Sequence, residues 1–199
     1  MPGTVFITGN VEADALLNTD GTALLMGMLL DQQVPMEWAF AGPFTLRSRL
    51  GHLDASRIAA LEEDAFVAVC CERPAIHRFP ASMGRRVHAM CVVLVDEFGG
   101  VGENVWAATD ASPLTGDELY RRLRTLPGFG EEKARIFVAV LAKRLGVAPP
   151  GWQQAAGVFA DASPRTVADI HDAASLAQVR EWKKAAKAAR RDKQDRALS

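Results

Sequence analysis

Apolar residues recur at helical rather than strand spacing along almost the whole of this chain, and that spacing confines it to a fold built of packed helices. In "TDGTALLMGMLLDQQ", Thr19 or Asp20 can cap a helix on which Leu24, Leu25, Met28 and Leu29 share one face. Pro35 cannot sit inside that helix but suits the first turn of the next, "PMEWAFAGPFTLRSRLG", so "DQQVP" reads as a tight corner between two helices. Further helices fit "DASRIAALEEDAFVAVCC", "SMGRRVHAMCVVLVDEFGG", "TGDELYRRLRTL", "EEKARIFVAVLAKRLGV" and "SLAQVREWKKAAKAARRDK". Proline and glycine collect in the loops "ERPAIHRFPAS" and "VAPPGWQQAAGVFADASP". Only "TVFIT", residues 4–8, reads as a short strand, closed by Gly9-Asn10. The expected fold is all-α. Residues 1–18 form an N-terminal segment with one short strand, 19–175 a helical domain of two intimate subdomains, and 176–199 a basic helix or tail.

A chain of 199 residues can bury a proper core, and its formal charge of −1 excludes a protein that works through global basicity. Charge is nonetheless uneven: "KKAAKAARRDKQDR", residues 183–196, carries seven Lys or Arg against two Asp. Cys70, Cys71 and Cys91 have neither the spacing of a metal site nor the even count of a disulfide framework, so buried thiols in a reducing cytoplasm are expected. His52, His77, His88 and His171 are scattered without ligand spacing, and no phosphate-binding or dinucleotide fingerprint occurs. "MPGTVFITGN" lacks the basic start of an export signal, and "ALLMGMLL" is too short to span a bilayer. A cytoplasmic, monomeric protein is expected.

The string "LRTLPGFGEEKARIF" holds the strongest local signal. One helix ends at Leu126-Pro127, Gly128 and Gly130 can take positive φ, and a second helix starts near Glu131. A glycine hairpin opening a helix presents free N–H groups and a positive dipole end, which suits an anion. A plain helix–turn–helix corner explains any single glycine equally well, but not the whole Leu-Pro-Gly-x-Gly-x-x-Lys-Ala string.

That string resembles the helix-hairpin-helix motif of the HhH-GPD superfamily of DNA glycosylases, which act in base-excision repair. "GMLLDQQVPMEWA" (27–39) is similar to the family's early helix and glutamine-bearing turn, and "FPASMGRRVHAMCVVLVDEFGG" (79–100) to the segment before the hairpin. The three blocks stand in family order and cover roughly residues 20–170. The resemblance implies that Pro127, Gly128, Phe129 and Gly130 bring backbone amides to a DNA phosphate, with an alkali ion (Na+ or K+) on the hairpin carbonyls at Gly128 and Gly130 and Lys133 adding charge. Such contacts position a duplex without reading its sequence. It implies that Gln32 and Gln33 fill the gap left by a flipped nucleotide, since glycosylases must extrude their base. Arg85 and Arg86 reach the DNA backbone or form a solvated face. Trp38 and Trp152 are candidates for a base pocket, Trp152 equally for packing on Pro149 and Pro150.

The family's catalytic aspartate has no counterpart. Its slot falls at Pro150 to Trp152 counted from Ala134, or at Gln153 aligned on Gly146, and no carboxylate occurs between residues 133 and 160. Its work is to stabilise positive charge developing on the sugar, which glutamine cannot do. Asp161 is the nearest candidate acid downstream, with Asp31 and Glu37 beside the glutamine corner. The lyase lysine of the bifunctional branch is replaced by Glu132, and the four-cysteine iron–sulfur cluster is missing, so no such cofactor is expected. The expectation is a nucleoid-associated glycosylase-like protein without lyase activity that acts on damaged double-stranded DNA. Alkylated purines are the plausible substrates, because a cationic base leaves with little assistance. The alternative is a non-catalytic lesion binder.

Overall fold

The computed structural model describes residues 4–108 and 113–189. Within them the fold is all-α, with no strand. Ten α-helices follow in order: α1 (Val11–Thr19), α2 (Gly21–Leu30), α3 (Met36–Leu50), α4 (Ala55–Ala59), α5 (Glu63–Cys71), α6 (Pro80–Phe98), α7 (Gly116–Thr125), α8 (Glu131–Arg144), α9 (Trp152–Ala156) and α10 (Ala173–Ala188). Short 3-10 turns occupy Gly102–Trp106, Gly157–Ala160 and Val167–Asp169. Among the described residues no helix is long and apolar enough to cross a membrane.

At the centre lies α2, all of whose residues are buried. Leu24, Leu25, Leu29 and Leu30 are each fully covered, worth about 1.5–3 kcal/mol apiece by area burial. A Cβ on Gly27 would stand 2.7 Å from the Phe40 ring, so glycine here permits the close packing of α2 on α3. With no water to satisfy its first amides, α2 is capped twice. Asp20 accepts from the Ala23 N–H, and Glu103, brought in by the 3-10 turn, accepts from the Gly21 N–H at 2.5 Å. Burial pushes the Asp20 carboxyl above its ordinary value, and the nearby Glu103 charge adds to the rise.

The expected strand at residues 4–8 does not form. Its donors go to side chains of α1 instead: Val5 N–H to Asn18, and the N–H groups of Ile7 and Thr8 to the carboxylate of Asp14. The helix expected across 54–71 is broken into α4 and α5. On one continuous helix Ile58 and Val67, nine residues apart, would face opposite sides at about 100° per residue. The break lets both reach the core. The loop expected after residue 146 contains α9. The basic C-terminal helix begins earlier than the 176 boundary, at a reciprocal cap between Asp172 and Ser175. It packs Leu176 and Val179 inward, and its Arg180 pairs with Glu37 of α3. The part of the basic run from Arg190 onward lies outside the described residues.

Candidate functional site

The hairpin and the glutamine corner are far apart in sequence and meet on a single carbonyl. At the C-terminus of α2, the Leu29 oxygen accepts from Lys133 Nζ on α8 and from Gln32 Nε2, each at 2.9 Å. A Cβ at Gly128 would lie 3.3 Å from Leu29 Cγ, so the hairpin rests directly against the end of α2. The exposed carbonyl end of a helix is its negative pole, which suits an ammonium.

Within the hairpin, Gly128 has φ +83 and so uses glycine's freedom, whereas Gly130 is at φ −70 and ψ 176, an ordinary conformation for any residue. Phe129 faces inward, 4% exposed, with its ring edge-on to Phe137 at 5.7 Å. Its N–H closes the turn on Leu126 O at 3.1 Å. Outward-facing amide chemistry therefore falls to the two glycines and the first turn of α8, which has no side-chain cap. Glu131, at the mouth, is drawn back along the helix by Arg135 at 3.1 Å.

At the corner, Gln33 is exposed and has φ +58, the one non-glycine residue with positive φ among those described. That conformation costs a side-chain-bearing residue about 1–2 kcal/mol. Gln32 is held instead of presented: besides its bond to Leu29, its Oε1 accepts from Arg86 Nη1 at 3.2 Å. Gln32, Gln33, His77, Phe79, Ser82, Met83 and Arg86 line a cleft of about 230 Å³. No carboxylate lines it, and its one fixed charge is the Arg86 cation. The volume is below the roughly 300–1,000 Å³ typical of drug-sized sites and on the scale of one heterocycle.

Phe79 lines the cleft, whereas Trp38, expected in a base pocket, does not line it and packs behind its His77 wall. Trp38, 41% exposed, donates its indole N–H to Ala75 O and stacks on His77 with centroids 6.3 Å apart. Phe79, 44% exposed, lies 6.1 Å from the same imidazole, and the Arg78 guanidinium sits 5.3 Å above the Phe79 ring. His77 carried no signal in the sequence, because the histidine works on backbone groups that leave no spacing pattern. For Phe79, its place just before the Pro80 that opens α6 was the available clue.

The other expected residues lie elsewhere. Arg85 pairs with Glu63 at 3.2 Å and Asp64 at 3.5 Å, while Arg86, next in sequence, reaches the cleft. The loop that replaces the aspartate slot docks on the start of α7, where Pro150 O accepts from Gly116 N–H. That is the end of α7 remote from the hairpin. Trp152 is half-buried and shares a separate cavity of about 370 Å³ with Lys143, Arg144, Asp161, Asp169 and His171. Lys143 lies about 15 Å along α8 from Lys133. Asp161 is paired there with the buried Arg165. Gln153 is exposed on the first turn of α9, Glu37 is taken by Arg180, and Asp31 ends α2. No group of three or more His, Cys, Asp or Glu among the described residues is placed to hold a metal.

No family model, curated protein or solved structure matches this chain.

Proposed function

We propose that this is a base-excision DNA repair protein with the HhH-GPD fold, which binds damaged duplex DNA and hydrolyses the N-glycosidic bond of an alkylated purine without lyase activity. The observation that carries the reading is the junction at Leu29. One carbonyl ties Lys133 behind the glycine hairpin to Gln32, next to a Gln33 held exposed in a left-handed conformation. The hairpin would hold a phosphate on the Gly128 and Gly130 amides and the start of α8. Gln33 would enter the helix where stacking is already weakened, beside a cleft of about 230 Å³ that can take one extruded base.

An alkali cation would find neutral carbonyl oxygens in the hairpin, the donor type that suits a hard ion. Leu126 O and Gly130 O each accept one N–H and keep a second lone pair for it. Such an ion would offset the acidic mouth of α8 and supply positive charge toward a phosphate.

The chemistry follows from what lines the cleft. Cleavage builds positive charge on the sugar, and a carboxylate normally stabilises it. With Asp161 committed to Arg165 at the far end of α8 and no acid lining the cleft, a neutral base would gain little assistance. N3-methyladenine and N7-methylguanine carry their own positive charge and leave as neutral molecules, so they need least from a cleft without a carboxylate, while Arg86, tied to Gln32 at 3.2 Å, opposes their charge until they leave. The same absence of a lining carboxylate favours a second reading, a lesion binder that performs no chemistry.

Fluorescence anisotropy with a duplex bearing a tetrahydrofuran abasic analogue, against its undamaged counterpart, tests the binding. Single-turnover release of N7-methylguanine tests the reaction. Selective binding with release supports the enzyme, and selective binding without release supports the second reading. Equal binding to both duplexes refutes both.

A further inference from the structure

The left-handed conformation of Gln33 is not explained by Gln33 itself, which is exposed and has no glycine-like freedom. Its cause lies one peptide away. His77 is 1% exposed, and its Nε2 stands 2.9 Å from the carbonyl oxygen of Gln32. Its Nδ1 accepts the Phe79 N–H at 3.0 Å. A carbonyl oxygen can only accept, and Nδ1 is already accepting, so these two bonds call for the tautomer with the proton on Nε2. Both ring nitrogens are thereby used on backbone. One bond fixes the peptide plane that enters Gln33, and the other fixes the residue across the cleft. The chain beyond is anchored at Pro35, whose carbonyl accepts from Trp38 and Ala39 N–H at 3.1 Å, so with the entering plane also held the turn between the two fixed ends falls on φ of Gln33. Trp38 closes one side of the imidazole, and the Gln32 backbone N–H is itself held on Leu30 O at 2.7 Å.

We infer that His77 is a positioning residue that sets the backbone of Gln33, and through it the discrimination between distorted and intact duplex. The inference rests on the functional reading above and adds to it the residue responsible for selectivity. Free rotation at Gln33 would let the side chain fall back onto the surface, leaving phosphate binding at the hairpin intact but removing the probe. His77 thus governs the ratio of lesion to undamaged affinity and leaves non-specific affinity nearly unchanged.

Two substitutions separate its bonds. In His77→Asn the carboxamide can take the place of Nδ1 but falls short of the Gln32 oxygen. In His77→Gln the longer side chain can restore a donor near the position of Nε2. The abasic-to-undamaged affinity ratio should fall about tenfold in His77→Asn, with binding to undamaged duplex retained, and recover in His77→Gln. In a Gln33→Gly background the His77→Asn change should have no further effect on the ratio, because the residue it positions is gone. Equal losses in both backgrounds, or a His77→Asn chain as selective as the wild type, would overturn the inference while leaving the function standing. A wild-type chain without selectivity overturns the functional reading and this role with it. If His77→Asn does not fold, imidazole 15N spectra of the wild type decide. The Nε2–H resonance should move on adding abasic duplex and stay in place with undamaged duplex, and no movement with either overturns the role.

Discussion

The two hairpin glycines should respond oppositely to the same added methyl group. Gly128 is at φ +83, where an alanine costs about 1–2 kcal/mol of backbone strain, of which about 0.4–1 kcal/mol is returned by the stiffer unfolded chain. Its methyl would also stand 3.3 Å from Leu29 Cγ, with little room to relax because Leu29 is fully buried. A net loss of about 1 kcal/mol lowers Tm by about 2–4 °C in a chain of this size. Gly130 is at an ordinary φ with nothing within 4 Å of a new Cβ. As a helix N-cap glycine is preferred over alanine by about 0.5–1 kcal/mol, which the entropy gain of about 0.4–1 kcal/mol offsets, so stability should stay within about 0.5 kcal/mol of wild type. That methyl would nevertheless stand on the surface assigned to a phosphate. Losing one charge-assisted hydrogen bond, about 1.5–3 kcal/mol, weakens duplex binding roughly tenfold or more. Calorimetry and anisotropy on Gly128→Ala and Gly130→Ala read both effects. A Gly130→Ala chain that binds within about twofold of wild type refutes the phosphate approach. An unchanged Tm in Gly128→Ala refutes the strain argument.

Other expectations concern the scaffold. Burial pushes the Cys70 and Cys91 thiols up to about 12 while Cys71 is exposed, so alkylation of the native protein near neutral pH should modify Cys71 alone. Mass spectrometry should find all three modified in denaturant. Hydrogen bonds from Arg121 and Arg122 lower the Glu118 carboxyl from 4.5 to about 2. Because the folded value is the depressed one, this stabilisation is complete above 4.5 and disappears as pH falls toward 2. Glu118→Gln should flatten the urea-unfolding midpoint over that window. Lys133→Met should lower Tm by removing the donor that joins α8 to Leu29, and should release Gln32 together with the hairpin, visible as faster amide exchange at both.

The helical class and most helix ends were legible because they follow from local chemistry. Asp20 caps α2 and Thr115 caps α7, each written within a few residues of the end it marks, whereas α6 starts at Pro80, two residues inside what read as a loop. Boundaries failed where distant residues decided them. The split between α4 and α5 depends on Ile58 and Val67 both finding the core, and the strand at 4–8 lost its donors to Asp14 and Asn18. In the candidate site, the hairpin and the glutamine corner stood out as motifs, yet their meeting at Leu29 spans 104 residues and rests on a backbone oxygen. The division of labour between Gln32, which is tied down, and Gln33, which is presented, was equally hidden. Neighbouring identical residues differ here in φ, in exposure and in the side-chain bonds that hold Gln32 to Leu29 and Arg86.

A helix with no outer face has no direction in which to yield. Every residue of α2 is enclosed, and the corner bearing Gln33 follows from its last turn. Under the proposed reading, a corner carried on such a mount would adapt little to the shape of what it meets, and the work of deformation would fall on the duplex. Intact DNA would have to unstack at full cost, whereas DNA already weakened at one step would give way for less. Selectivity of that kind needs no contact with the damaged base, only a protein that declines to bend first.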